Sequence, residues 1–195
     1  LGLILGTILG LLIAILLYLS EKAVKILRDS LYPIPAELNE LDWKSGLSDK
    51  SERLAQHISA FANMKGGGIL VYGVNNDGTC FNLTKEEVDK IIQTLGNIAH
   101  NNLAYSIPIE HSVLEFDGHS LLFVYIPEQS DKPVHLRGKD IYSSYYRSAG
   151  QTVKMSRNQV KALIATTIHR LFIRCFSCIL AVGITQRTRS VVDDG

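Results

Sequence analysis

The sequence predicts one mixed α/β domain of ordinary size behind an apolar N-terminal segment. Three observations point there. Leu54, Ala55, Ile58, Phe61 and Ala62 recur at helical spacing and give the stretch up to Met64 one apolar face. Short apolar runs bounded by turn residues, Ile69–Val74 and the pair flanking Asp117-Gly118, read as strands. Residues Leu1–Leu19 carry no charge.

Taken in chain order, the charge-free segment comes first. At about 1.5 Å per residue it approaches the roughly 30 Å hydrocarbon core of a bilayer. Lys22, Lys25 and Arg28 follow directly, which favours a single-pass anchor with the downstream domain facing the cytoplasm. Gly2, Gly6 and Gly10 fall four apart on one stripe, a spacing that lets helices approach closely and opens the way to a homo-oligomer. Glu21–Leu31 continues as a polar helix in which Ala23, Ile26 and Leu27 form a partial apolar face, and Pro33 and Pro35 end it.

The spacing predicts a helix over Ser48–Met64, with Ser48 as N-cap and Glu52 near the capping position. Gly66, Gly67 and Gly68 stop it, and Asn75-Asn76-Asp77-Gly78 closes the following strand with a turn. Thr84 with Glu87 three residues on is a capping-box pattern opening a helix to about Asn101. His111–Phe116 and Ser120–Ile126 around Asp117-Gly118 form a hairpin. Asp140–Arg147 reads as a late strand, and Ser156 caps a final helix. Val160–Ile184 is apolar but holds Lys161, His169, Arg170 and Arg174, so an extension of that helix is expected over a second span. The expected organisation is a membrane helix at 1–19, a juxtamembrane helix and linker at 20–35, a domain at 36–165, and an apolar helical extension with a disordered tail at 166–195. Some antiparallel pairing and the absence of a phosphate-loop motif argue against a doubly wound nucleotide fold.

Charge is nearly balanced overall, with 20 Lys+Arg against 19 Asp+Glu. Glu37–Val160 holds 12 basic and 15 acidic residues, a net of −3, so the domain lacks the broad basic excess of a nonspecific phosphate binder. Cys80, Cys175 and Cys178 form no even framework and suit a reducing compartment.

The stretch Ile58–Gly78, ISAFANMKGGGILVYGVNNDG, closely resembles the signature of the Schlafen AlbA-like domains. Other parts fall in the same order. Glu37-Leu-Asn-Glu40-Leu-Asp42-Trp43-Lys44 is similar to the family's Glu-rich segment ending in acid, aromatic and lysine. Downstream come Ile107-Pro108, the hairpin, the Pro133 segment, and Tyr145-Tyr146-Arg147-Ser148-Ala149-Gly150, similar to its Tyr-x-Arg-x-Gly. The resemblance spans about Ala36 to Ile164. It implies a DNA- or RNA-binding role, which composition alone does not suggest, and a regulatory domain with no resident cofactor is the expectation.

Three sets of residues are candidates for chemistry. Lys44, Lys65 and Arg147 are expected to contact phosphates, supported by Asn63, Tyr145 and the backbone N–H groups at Gly66 and Gly67. Arg147 can instead pair with Asp42 or Asp77, Asn63 can bind local backbone, and the glycines can serve close packing. On a strand Tyr145 and Arg147 share a face, which leaves Tyr146 for the core.

The second set, Glu37, Asp42 and Asp77, follows from the resemblance, because some relatives cleave RNA with a carboxylate triad. The gap from Glu37 to Asp42 is similar to that of their first two acids. Three converging carboxylates would hold Mg²⁺ or Mn²⁺ and activate water. Asp at position 42 is shorter than the family's Glu, and Asn75 and Asn76 stand where relatives often carry acids. Solvated linker acids, a cap and a turn former are the plainer roles, so binding without catalysis is the expectation. The third candidate is a non-enzymatic assembly module. The histidines His57, His100, His111, His119 and His135 show no metal-ligand spacing and read as surface or satisfied core residues.

Overall fold

The computed structural model describes residues 18–32 and 35–168. Helix α1 (18–31) leads to strand β1 (Leu41–Lys44), helix α2 (Ser51–Asn63), strand β2 (Gly68–Tyr72) and helix α3 (Lys85–Asn101). Strands β3 (Glu110–Phe116), β4 (His119–Ile126), β5 (Tyr145–Ser148) and β6 (Gln151–Lys154) follow, and helix α4 covers 157–168. One sheet runs β1-β2-β4-β3, with β1 parallel to β2 and the other pairs antiparallel, and β5 and β6 form a separate hairpin.

The period-two pleat sorts the sheet's side chains into two cores. Leu70, Tyr72, Leu122, Val124 and Ile126 face α2 and α3, where they meet Leu54, Ile58, Phe61, Ile91 and Leu95. Leu41, Trp43, Val71, Leu121 and Phe123 face the other way and are covered by Leu27 and Leu31 of α1. Each large apolar side chain sealed this way contributes about 1.5–3 kcal/mol. The helix expected to lie beside the membrane is therefore an integral layer of the domain. Arg28 and Tyr32 both bind the Asp117 carboxylate at 3.1 Å, fixing α1 to the β3–β4 turn.

Several boundaries shift. Helix α2 begins at Ser51 rather than Ser48, and its N-cap Lys50 makes no side-chain cap; the Ser48 hydroxyl accepts from the Lys50 N–H instead. Thr84 and Glu87 form the expected capping box, and Asp117 and Gly118 take the positive φ of a tight hairpin. Ser156 and Gln159 cap α4 reciprocally. The late strand is shorter than expected, and β6, which follows the Ala149-Gly150 turn, was not expected at all. No helix among the described residues is long and apolar enough to cross a membrane. The expected anchor over 1–19, its glycine stripe and most of the 166–195 extension lie outside the described residues.

Candidate functional site

The sequence Leu41-Asp42-Trp43-Lys44 sends alternate side chains to opposite faces. Leu41 and Trp43 go to the α1 core, and Asp42 and Lys44 go to the α2 side. Asp42 is fully buried and receives three groups there. Lys44 Nζ lies 2.5 Å from Oδ1, and His57 Nδ1 from α2 and Arg147 from β5 lie 3.1 and 3.0 Å from Oδ2. Glu37 closes the network at 3.4 Å from Lys44 and 3.6 Å from Arg147. Arg147 also donates to the Leu38 carbonyl and Thr152 Oγ1, and its guanidinium carbon sits 5.2 Å from the Phe61 ring centroid. Its Nε is buried and, among the described residues, has no hydrogen-bond partner.

The two acids are driven apart electrostatically. Burial works against ionisation of Asp42, but the His57 hydrogen bond and the Lys44 charge outweigh it and hold the carboxyl well below the ordinary range. Burial, with the neighbouring Asp42 carboxylate, pushes Glu37 up. The set of two cations and two acids balances, as a desolvated cluster requires.

Gly150 makes room for this arrangement. At φ +75° it lies so close to residue 37 that an added Cβ would meet the Glu37 carbonyl oxygen at 2.5 Å, and its N–H donates to Asn39. Above the network opens a polar cleft of about 750 Å³ at the N-terminal end of α2. Its floor is Asp42, His57, Arg147 and Thr152, and Lys50 and Arg53 stand exposed beside Asp49 and Glu52 at the rim. Every lining side chain is polar or, at Gly150, absent.

The glycine corner at the other end of α2 is tied down from within. Asn63 gives Nδ2 to the carbonyls of Val134 and Tyr145 and takes the Val134 N–H on Oδ1. Ser59, one turn earlier, binds the same segment. Lys132 Nζ donates to the carbonyls of Asn63 and Met64 and to Glu128, and Glu128 takes the Gly66 N–H at 2.8 Å. Gly67, at φ +73°, approaches the Ile126 carbonyl too closely for any Cβ. The N–H at Gly66 expected to receive a phosphate already holds a carboxylate.

The expected phosphate cradle of Lys44, Lys65 and Arg147 does not form. Lys44 and Arg147 are neutralised by Asp42 and Glu37 in the cleft floor, whereas Lys65 is exposed at the bend and lines no part of that cleft. Of the alternatives, Arg147 takes the ion pair with Asp42. Tyr145 packs half-buried against the α2–α3 core, and Tyr146 is half-buried as well rather than a core residue.

The carboxylate triad is not assembled either. Glu37 and Asp42 adjoin, but Asp77 is exposed in its turn, where Thr79 donates to it through N–H and Oγ1 and lowers its pKa. Among the described residues no three His, Cys, Asp or Glu side chains could hold a metal ion. Asp42, with three cationic or imidazole partners, has no free oxygen for one. These residues do not fit Mg²⁺ or Mn²⁺.

Reading the sequence missed His57, Thr152, Lys50 and Arg53. Arg53 and His57 are four apart and so share one helix face, a signal that was present once α2 was placed.

No curated protein matches the chain. Among solved structures, it is similar to the N-terminal domain of a RecG-related protein from Nitrosomonas europaea, at 24% identity over 68% of this chain and 92% of that one, with a TM-score of 0.48. It is also similar to the DIP2311 protein from Corynebacterium diphtheriae, at 16% identity and a TM-score of 0.45, covering 71% of this chain and 30% of that one. Residues 37–156, which hold both acids of the network, the glycine corner and the arginine strand, match the family described as Schlafen, AlbA_2. With more than half of its length inside that match, the chain belongs to the Schlafen AlbA_2 family.

Proposed function

We propose that the chain binds a nucleic-acid strand without cleaving it, and that the strand lies in the polar cleft at the N-terminal end of α2. The observation that carries this reading is the cleft itself: it is open, lined by polar side chains, and rimmed by Lys50 and Arg53 where the helix start leaves backbone N–H groups and a partial positive charge. Phosphate oxygens suit that end, and the charge-balanced floor beneath lets sugars and bases approach without meeting an uncompensated charge. Asp49 and Glu52 share the rim, so the attraction is local, and only a few counterions are released on binding.

The test is fluorescence anisotropy with the full chain in detergent and labelled single- and double-stranded DNA and RNA. Binding that weakens with salt and disappears in a chain carrying Lys50→Glu and Arg53→Glu supports the reading. No binding to any strand at low salt would overturn it. Tethering through 1–19, with the domain on the cytoplasmic side, belongs to the same proposal and rests on the sequence. An anchored chain stays in the membrane pellet after alkaline extraction, and its release would contradict the tether.

A further inference from the structure

Strand β3 is the outer strand of the sheet, and among the described residues it pairs only with β4. It is seven residues long, stays in register with β4 throughout, and is exposed over its first four residues. Natural sheet edges are usually blunted by proline, charged side chains (lysine above all), a bulge or short length. Glu110-His-Ser-Val-Leu-Glu-Phe116 has no proline, lysine or bulge, and its charged side chains are Glu110 and Glu115. The opposite edge, β1, is four residues long, and the chain leading into it is bound by Arg147 and Gly150.

One face of β3 carries His111, Val113 and Glu115, and Val113 is 50% exposed. Read backwards, this face exchanges imidazole for carboxylate around a central valine. It is therefore complementary to itself. An antiparallel β3 from a second copy, placed on a two-fold axis through Val113, sets valine against valine and His111 against the partner's Glu115, twice. Centring on Ser112 would set Glu110 against Leu114 and His111 against Val113, and centring on Leu114 would set Glu115 against Val113. Neither sets an imidazole against a carboxylate.

The geometry points to a homodimer in which β3 pairs antiparallel with β3 of a second copy, centred on Val113. An imidazole facing a carboxylate and β-branched residues facing each other across strands stabilise such pairing. A two-fold contact uses each edge once, so the assembly closes without forming fibres. Asp42 lies on β1, at the far edge of the sheet, and both clefts stay open. The inference is independent of what the cleft binds.

The test uses the full chain in detergent with Cys80, Cys175 and Cys178 replaced by serine. Cα atoms facing each other across an antiparallel pair are roughly 4.5–5.5 Å apart, within reach of a disulfide. Oxidation should therefore cross-link the Val113→Cys chain to itself and leave a Glu110→Cys chain uncross-linked. In sedimentation, His111→Glu should raise the dimer dissociation constant about fivefold or more, and adding Glu115→Lys should reverse the change. A monomer throughout, whether this edge stays bare or takes a strand from elsewhere, would overturn the inference. So would a dimer that ignores His111→Glu and gives no cross-link at Val113.

Discussion

At its C-terminal end α2 stops on a bend held from within the domain, with Glu128 on the Gly66 N–H and Lys132 on the last carbonyls. At its N-terminal end the same helix starts on Lys50 with no side-chain cap, over a cleft whose floor is charge-balanced and whose rim is exposed. The glycine run attracts attention in the sequence, but its backbone groups are committed to the fold. The quieter end, marked only by Lys50, Arg53 and His57, is where polar groups face solvent. Conspicuous residues and available residues are different sets here.

The comparison can be broken most forcefully at the cleft floor. Asp42→Ala leaves Arg147 and Lys44 without their shared carboxylate, and removing one partner of a buried pair costs about 3–5 kcal/mol. Denaturant unfolding should show a loss of that size. At the other end, Gly67→Ala places a Cβ 2.3 Å from the Ile126 carbonyl oxygen at a φ of +73°. A loss of about 2 kcal/mol is expected by the same measurement. Lys132→Met, which uncaps the Asn63 and Met64 carbonyls and removes the Lys132–Glu128 ion pair, should cost about 1.5–3 kcal/mol.

The acidity of the floor gives a sharper probe. Folding holds Asp42 below its ordinary value of 3.8, so its contribution is complete above that pH and shrinks as pH falls below it. Glu37 is raised above its ordinary 4.5, so its contribution is complete below that value and is lost as pH rises past it. Wild-type stability should therefore fall between pH 4 and 2. Asp42→Asn, less stable at neutral pH, should respond less over that window. An identical acid slope in both chains would contradict the assignment.

Much of the architecture was legible because it rests on local rules. The Thr84–Glu87 box, the Asp117-Gly118 hairpin and the apolar face of α2 are short-range signals, and all three hold. What failed depends on long-range packing. Ala23, Ile26 and Leu27 announced an apolar face on α1 but not that the sheet would claim it. Strand β6 has little apolar content, and pairing with β5 makes it a strand. In the site, the alternation of Leu41-Asp42-Trp43-Lys44 fixes which face Asp42 takes. That Arg147, far along the chain, arrives on the same face is a property of the hairpin's docking onto α2 through Ser59 and Asn63.

The most direct measurement sets the two ends of α2 against each other in one anisotropy titration of a labelled oligonucleotide. Lys50→Glu with Arg53→Glu should abolish binding while changing stability by no more than about 0.5 kcal/mol, and Lys65→Glu should leave affinity nearly unchanged. Loss of binding in Lys65→Glu, with the cleft-rim variant binding normally, would contradict the account.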